Sequence, residues 1–117
     1  METQETAVHP TAVVMPGAEL GVGVEVGPYC VIEPGAELGD HCRLHPFVRL
    51  CGRTQIGAST TVGSHSVLGS EPQDKAYSGE RTSVEIGSHC QIHEHVTVHR
   101  ATKEGVTRVG NGVMMMA

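Results

Sequence analysis

Aliphatic side chains recur at every sixth residue along most of the chain. From Val8 to Leu68 each sixth position holds Val, Leu or Ile, and the column resumes at Ile86, Ile92 and Val98. An amphipathic helix repeats every 3.6 residues and a half-buried strand every two, so neither accounts for a spacing of six. This period is typical of a solenoid in which each hexad forms one short strand and one turn.

Two further columns keep the same period. Glycine directly follows the aliphatic residue at Gly21, Gly27, Gly39, Gly57, Gly63, Gly69, Gly87 and Gly110. A small or medium side chain stands four places after it, at Ala12, Ala18, Val24, Cys30, Ala36, Cys42, Val48, Thr54, Thr60 and Ser66. We expect an all-β prism in which three hexads close one triangular coil, with coils stacked about 4.8 Å apart around a narrow aliphatic core. Cys30, Cys42 and, in the later run, Cys90 are predicted to pack inward as small apolar residues.

The repeat is interrupted twice. A polar segment at about 70–84 contains Pro72, Gly79 and charges of both signs, and it is predicted to loop out of the prism. A second, smaller loop is predicted at about 100–108. The prism continues between the loops, so we expect residues 1–117 to form one β-helix domain. Because loops on rigid scaffolds often carry function, the first loop is the expected place for binding residues.

Composition favours a thin β structure over a rounded core. The chain of 117 residues has fifteen glycines, two tyrosines, one phenylalanine and no tryptophan. No apolar run approaches the roughly 18 residues that span a membrane, so no membrane span is expected. The four cysteines form no CxxC pair, and the N-terminus has no basic segment followed by an apolar core. These features predict a cytoplasmic protein with free thiols.

Charge is distributed unevenly along the chain. The formal net charge of -5 argues against nucleic acid as the main partner. Positions 1–42 contain seven acidic residues and no lysine or arginine. Five of the eight basic residues fall later, at Lys75, Arg81, Arg100, Lys103 and Arg108. An anionic ligand is therefore expected to bind in this later part of the chain.

Histidine is unusually frequent, with eight in the chain and four close together at His89, His93, His95 and His99. Surface or interfacial imidazoles, metal ligation and proton transfer all fit this pattern. Histidines six residues apart point from different faces of one coil. We therefore do not expect them to chelate one metal ion within a single chain.

Several segments resemble a known enzyme family. The hexads, the opening "VHPTAVV", the loop "PQDKAYSGE" and the later "VEIG" and "VTVHRAT" resemble the UDP-N-acetylglucosamine O-acyltransferases that begin lipid A biosynthesis. The resemblance implies a left-handed parallel β-helix, assembled as a homotrimer with active sites between neighbouring prisms. It implies transfer of a 3-hydroxyacyl chain from acyl carrier protein to the sugar 3-hydroxyl of UDP-N-acetylglucosamine, with no metal or diffusible cofactor.

The resemblance also implies roles for particular residues. Gln73 and Asp74 match loop residues that contact the sugar substrate, and His99 matches the histidine of the family's "HR" pair as a weaker substrate-binding candidate. A family lysine has no counterpart, because Ala76 occupies its place and Lys75 lies one position earlier.

No catalytic residue is expected within 1–117, because the family's catalytic histidine lies beyond the position of Ala117. The resemblance thus implies an N-terminal portion, truncated before the C-terminal coils and the helical domain, and inactive alone.

Two other functions fit the hexads. A non-catalytic β-solenoid scaffold, or a truncated remnant, needs no catalytic base and predicts no affinity for the sugar nucleotide. A zinc-dependent hexapeptide carbonic anhydrase needs three histidines across a trimer interface, with two ligands of one chain five residues apart. His93, His95 and His99 give spacings of two, four and six, which do not fit that requirement.

Overall fold

The computed structural model describes residues 5–72, 75–76, 79, 81–103 and 105–117. This part of the chain forms short parallel strands and contains no helix. The strands are β1 (Ala7–Val8), β2 (Val13–Val14), β3 (Glu19–Leu20), β4 (Glu25–Val26), β5 (Val31–Ile32), β6 (Glu37–Leu38), β7 (Arg43–Leu44), β8 (Arg49–Leu50), β9 (Thr54–Ile56), β10 (Thr61–Val62), β11 (Val67–Ser70), β12 (Ser83–Ile86), β13 (Gln91–Ile92), β14 (Thr97–His99), β15 (Val106–Val109) and β16 (Met114–Met115).

The strands form three parallel sheets, one for each face of a prism. Sheet A has the order β1-β4-β7-β10-β13-β16, sheet B β14-β11-β8-β5-β2 and sheet C β15-β12-β9-β6-β3. Val26 pairs with Leu44, 18 residues later, so one coil consists of three hexads. The step grows to 30 residues between Val62 and Ile92, across the segment between β11 and β12. The aliphatic column of sheet A therefore keeps its pairing across this longer step.

The aliphatic column forms the core, as the six-residue period predicts. Ile32, Leu50, Val62 and Leu68 have no exposed surface. Val8, in the first coil, is 40% exposed because no coil covers it on one side. Burial of apolar surface between successive coils is the main stabilising term in such a stack.

The small-residue column is also buried, and it carries hydrogen bonds that connect successive coils. Cys30 Sγ donates to the carbonyl oxygen of His45 at 3.0 Å, and Cys42 Sγ donates to that of Gly57 at 3.0 Å. Thr60 Oγ1 makes the equivalent bond to Gly87 at 2.8 Å. The predicted packing role of the cysteines is correct but incomplete, because their thiols also donate to turn carbonyls that the strand ladder leaves open.

The prism corners place one residue of each turn in the left-handed backbone region. Among the described residues, the non-glycine residues with positive φ are Tyr29, His41, Phe47, Arg53, Ser59, His65, His89 and His95. Histidine tolerates this conformation better than most residues, which accounts for four of the eight histidines. His89 lies at the corner between sheets C and A and His95 at the corner between sheets A and B, so they point in different directions.

The outward positions differ between the faces. On sheet B, Val13, Val31, Arg49, Val67 and Thr97 stand in one column of paired residues. On sheet C the corresponding column is Glu19, Glu37, Gln55, Glu85 and Arg108. Sheet B therefore presents an apolar column broken by one arginine, whereas sheet C presents a charged one.

Candidate functional site

Strands of sheet B end along one edge of the prism, where the chain turns toward sheet C. The residues beside these strand ends line an open cleft of about 450 Å³. They are Glu33, Arg49, Cys51, Ser70, Glu71, His99 and Arg100. We call this the B–C cleft. It lies at the base of the segment between β11 and β12, which contains the predicted loop motif in the sequence.

Gly69 is where the chain leaves the regular coil. Its φ is +88°, and an added Cβ would overlap Oγ1 of the buried Thr54, so a side chain cannot be accommodated here. The pairing of β11 with β14 shifts register between Leu68 and Ser70. This irregularity directs the chain out of the sheet and brings Ser70 opposite His99.

His99 holds the start of this segment against β14. Its Nδ1 lies 2.9 Å from Oγ of Ser70 and 2.9 Å from the carbonyl oxygen of Glu71. Since a carbonyl only accepts, the hydrogen-bond network assigns the proton to Nδ1 and leaves the lone pair on Nε2. Backbone bonds support this arrangement, since Arg100 N–H donates to Ser70 O at 2.9 Å. Thr107 Oγ1 also donates to His99 O at 3.0 Å.

Glu33 fixes Arg49 at the other end of the cleft. Its Oε2 accepts from Nη2 of Arg49 at 2.7 Å and from Nε at 3.2 Å. Its Oε1 accepts from the backbone N–H of Gly52 at 3.2 Å. The hydrogen bond to Glu33 raises the pKa of Arg49, which stays charged. The carboxylate thus turns the guanidinium away from the valine column of sheet B and toward the cleft.

Cys51 lies between these charged groups. The residue is 4% exposed, and burial, followed by the charge of Glu33, raises the pKa of its thiol. The charges of Arg49 and Arg100 act in the opposite direction, which places both guanidiniums within electrostatic range of one sulfur. The thiol is therefore neutral near pH 7 and is unsuited to act as a nucleophile.

The structure places only some of the sequence-predicted site residues. His99 lies in the B–C cleft, while Gln73 and Asp74 lie outside the described residues. Lys75 and Ala76 are both exposed. Arg100, which the sequence places among the basic residues expected to receive an anion, also lines this cleft, whereas the sequence did not point to Glu33, Arg49, Cys51, Ser70 or Glu71. A usable signal was present in the hexads. On sheet B the residue after the buried aliphatic residue is glycine only once, at Gly69, whereas on sheet C it is always glycine.

Two other clefts have chemistry that is less suited to a ligand. A depression of about 630 Å³ lies on the outer face of sheet C, but its polar groups are carboxylates and Gln55, which donates to Glu37 at 2.8 Å. A third cleft, of about 330 Å³, contains His45 and His93. Among the described residues, no three His, Cys, Asp or Glu side chains are grouped to hold a metal ion.

Three flat parallel sheets and 18-residue coils define a class of protein, the parallel β-helix, and the match to the solved structures below gives its left-handed form. Solved structures of this class superpose on the chain. The UDP-N-acetylglucosamine O-acyltransferase of Moraxella catarrhalis matches with a TM-score of 0.90 and 36% identity, covering 93% of this chain and 43% of that one. The enzyme named LpxA of Acinetobacter baumannii matches with a TM-score of 0.88 and 35% identity, covering 92% and 43%. No protein-family model matches the sequence.

Curated sequences point to the same family. The acyl-[acyl-carrier-protein]--UDP-N-acetylglucosamine O-acyltransferases of Brucella ovis and Brucella melitensis are each 41% identical to the chain over 116 residues. These alignments cover 97% of this chain and 42% of the relatives, so the chain spans less than half of their length. The chain is thus similar to the UDP-N-acetylglucosamine O-acyltransferases over nearly its whole length, which confirms the family resemblance of the sequence. In the described residues no helix is long and apolar enough to cross a membrane.

Proposed function

We propose that the chain supplies part of the sugar-nucleotide site of an enzyme of lipid A biosynthesis. The enzyme moves a 3-hydroxyacyl chain from acyl carrier protein to the 3-hydroxyl of UDP-N-acetylglucosamine, the first step of that pathway. The thioester C–S bond breaks, the new ester C–O bond forms, the hydroxyl proton goes to a general base, and the carrier thiol leaves protonated. The observation that carries the proposal is the 41% identity with enzymes of this name over nearly the whole chain.

Residue roles follow from the loop motif and from the B–C cleft. Gln73 and Asp74 contact the sugar, and His99 holds the loop base through Nδ1 while its Nε2 faces substrate as a hydrogen-bond acceptor. No catalytic base is assigned within 1–117, as the family resemblance implies. The reaction as proposed uses no metal and no diffusible cofactor.

The proposed enzyme is a cytoplasmic homotrimer. The four cysteines are free thiols, as is usual in a reducing compartment. The outward valines of sheet B support self-association, since Val13 alone is 49% exposed and two more valines extend the column. Because the B–C cleft lies at the edge of this face, packing of sheet B against a second copy would place the cleft between two prisms.

Binding of UDP-N-acetylglucosamine to the chain tests the proposal. We expect isothermal titration calorimetry to detect binding, and Asp74→Ala to weaken it by about ten- to a hundredfold, because hydrogen bonds to a charged group contribute about 1.5–3 kcal/mol. Glu94→Ala, an exposed carboxylate outside the loop, is the matched control and should bind as the unmodified chain does. Absence of binding, or equal affinity of both variants, would favour the non-catalytic scaffold.

A further inference from the structure

The B–C cleft contains a fixed arginine that the loop motif does not explain. Arg49 occupies an outward position on β8, paired with Val31 on one side and Val67 on the other. The side chain of an exposed arginine ordinarily moves among several rotamers, and its ion pairs contribute little to the stability of the fold. Here the partner Glu33 is only 26% exposed at its side chain and is itself held by a backbone N–H. The guanidinium is therefore held in one orientation before any ligand arrives.

The remaining donors of Arg49 suit an anion. Of its five N–H groups, Glu33 engages those at Nε and one at Nη2 within the described residues, which leaves three. Arg100 adds a second positive charge near the same sulfur, that of Cys51. Glu71 also lines the cleft, but the residue is exposed and meets His99 through its backbone oxygen. A planar guanidinium with free parallel donors is the group that binds phosphate oxygens with two hydrogen bonds.

We propose that the B–C cleft binds a phosphate-bearing group, with Arg49 as its principal donor and Glu33 as the residue that positions Arg49. The inference rests on the proposed function in one respect, since a sugar nucleotide supplies such a group as its diphosphate. The cleft, of about 450 Å³, is large enough for a diphosphate together with its adjoining sugar.

The chain provides a matched control for Arg49. Arg43 makes an ion pair of the same kind with Glu25, at 2.7 Å, on the outward face of sheet A. Both side chains of that pair are more than half exposed, and neither lines the B–C cleft. Arg43→Gln and Arg49→Gln thus each remove one exposed positive charge. Only Arg49→Gln also removes a hydrogen-bond donor from the B–C cleft.

The experiment titrates inorganic pyrophosphate into the chain, with binding followed by calorimetry and by the side-chain N–H resonances of arginine. We expect Arg49→Gln to weaken binding tenfold or more, as loss of about 1.4 kcal/mol implies, and Arg43→Gln to leave it unchanged. Glu33→Ala distinguishes two effects of Glu33 on anion binding, namely its positioning of Arg49 and the repulsion of the anion by its own negative charge. If Glu33 positions Arg49, this variant weakens binding, whereas removal of a merely repulsive carboxylate would tighten it and contradict the role given to Glu33.

Parallel titration with UDP-N-acetylglucosamine distinguishes this inference from the proposed function. Pyrophosphate binding that depends on Arg49, without binding of the sugar nucleotide, would support the anion site and contradict the proposed function. Binding of the sugar nucleotide with equal affinity to the unmodified chain and to Arg49→Gln would overturn the anion site and leave the proposed function standing. Failure of pyrophosphate to bind overturns the anion site as well. Circular dichroism verifies that each variant is folded.

Discussion

Each residue of this chain takes its role from its column within the six-residue repeat. One column is aliphatic and buried, and a second holds small side chains that pack inward or donate to the next coil. A third lies at the corners in the left-handed backbone region. Similar residues in different columns consequently behave differently. Cys42 donates a hydrogen bond inside the prism, whereas Cys51, after β8, lies in the B–C cleft between two arginines.

The aliphatic column predicts a sharp contrast between inward and outward substitutions. Ile32 is fully buried among apolar side chains, so Ile32→Asp places a carboxylate where no partner is available. We expect the free energy of unfolding to fall by more than about 3 kcal/mol, or the chain to fail to fold. Gln91→Asp, at an exposed outward position, should change it by less than about 0.5 kcal/mol. Urea unfolding followed by circular dichroism measures both, and equal stability of Ile32→Asp would refute the hexad frame.

The buried thiols predict loss of stability at high pH. Burial raises the pKa of Cys42 in the folded chain, so the folded state keeps its proton over a range in which the unfolded state releases it. The stabilising contribution is complete below the ordinary thiol pKa of about 8.5 and is lost as the pH rises through the folded value. We expect the urea midpoint to fall between pH 8 and 10, and Cys42→Thr to reduce that fall. Thr60 occupies the same column, so this variant keeps the donor. An identical pH dependence in both proteins would contradict the assignment.

Much of the residue-scale structure was predictable, and the reason is physical. Burial against neighbouring coils imposes the period directly, so Ile32 and Leu50 reveal their positions by spacing alone. The B–C cleft was not predictable in this way. Glu33, Arg49 and His99 are far apart in sequence and meet only because the coils stack at one corner. The hand of the coil is likewise absent from the period, since either hand places every sixth residue inward.

The corner between sheets A and B is an element in its own right. Tyr29, Phe47, His65 and His95 stack along it with ring centroids 4.9–5.2 Å apart and planes within 11° of parallel. Each of the four has a positive φ between 59° and 65°. Stacking of this kind contributes about 0.5–1.5 kcal/mol per pair and compensates part of the backbone cost at each corner.

Substitution of His65 compares the stabilisation from ring stacking with the backbone cost of a positive φ at this corner. His65→Val removes the ring and places a β-branched residue at a φ of 64°, whereas His65→Asn removes the ring but tolerates this backbone. We expect Val to lower the free energy of unfolding by about 1–2 kcal/mol more than Asn does. Chemical unfolding of the two variants gives the difference. If Val and Asn are equally destabilising, the corner backbone does not carry the cost that we assign to it.

At the scale of the whole molecule, the faces of the prism differ in the chemistry that they present. Sheet C carries paired charges, such as Arg108 with Glu85 at 2.9 Å, and therefore suits contact with water. Sheet B carries valines, and the B–C cleft opens at its edge. The loop motif that resembles the sugar-binding segment of the acyltransferases begins at the same edge. The apolar face, the proposed anion-binding cleft and the start of the loop are thus adjacent, which is the arrangement required if the substrate site lies between two copies.

This adjacency predicts that assembly and ligand binding depend on the same face. Val31 points outward on β5 in the valine column of sheet B, so Val31→Asp should leave the prism core intact and prevent trimer formation by placing charges at the contact. Gln55→Asp, an outward substitution on sheet C, is the matched control. Sedimentation velocity should show a trimer for the unmodified chain and the control, and a monomer with unchanged circular dichroism for Val31→Asp. A trimer that survives Val31→Asp would exclude sheet B as the contact face. A monomeric unmodified chain would show that these coils do not assemble by themselves, and the substrate site would then require residues other than those on this face.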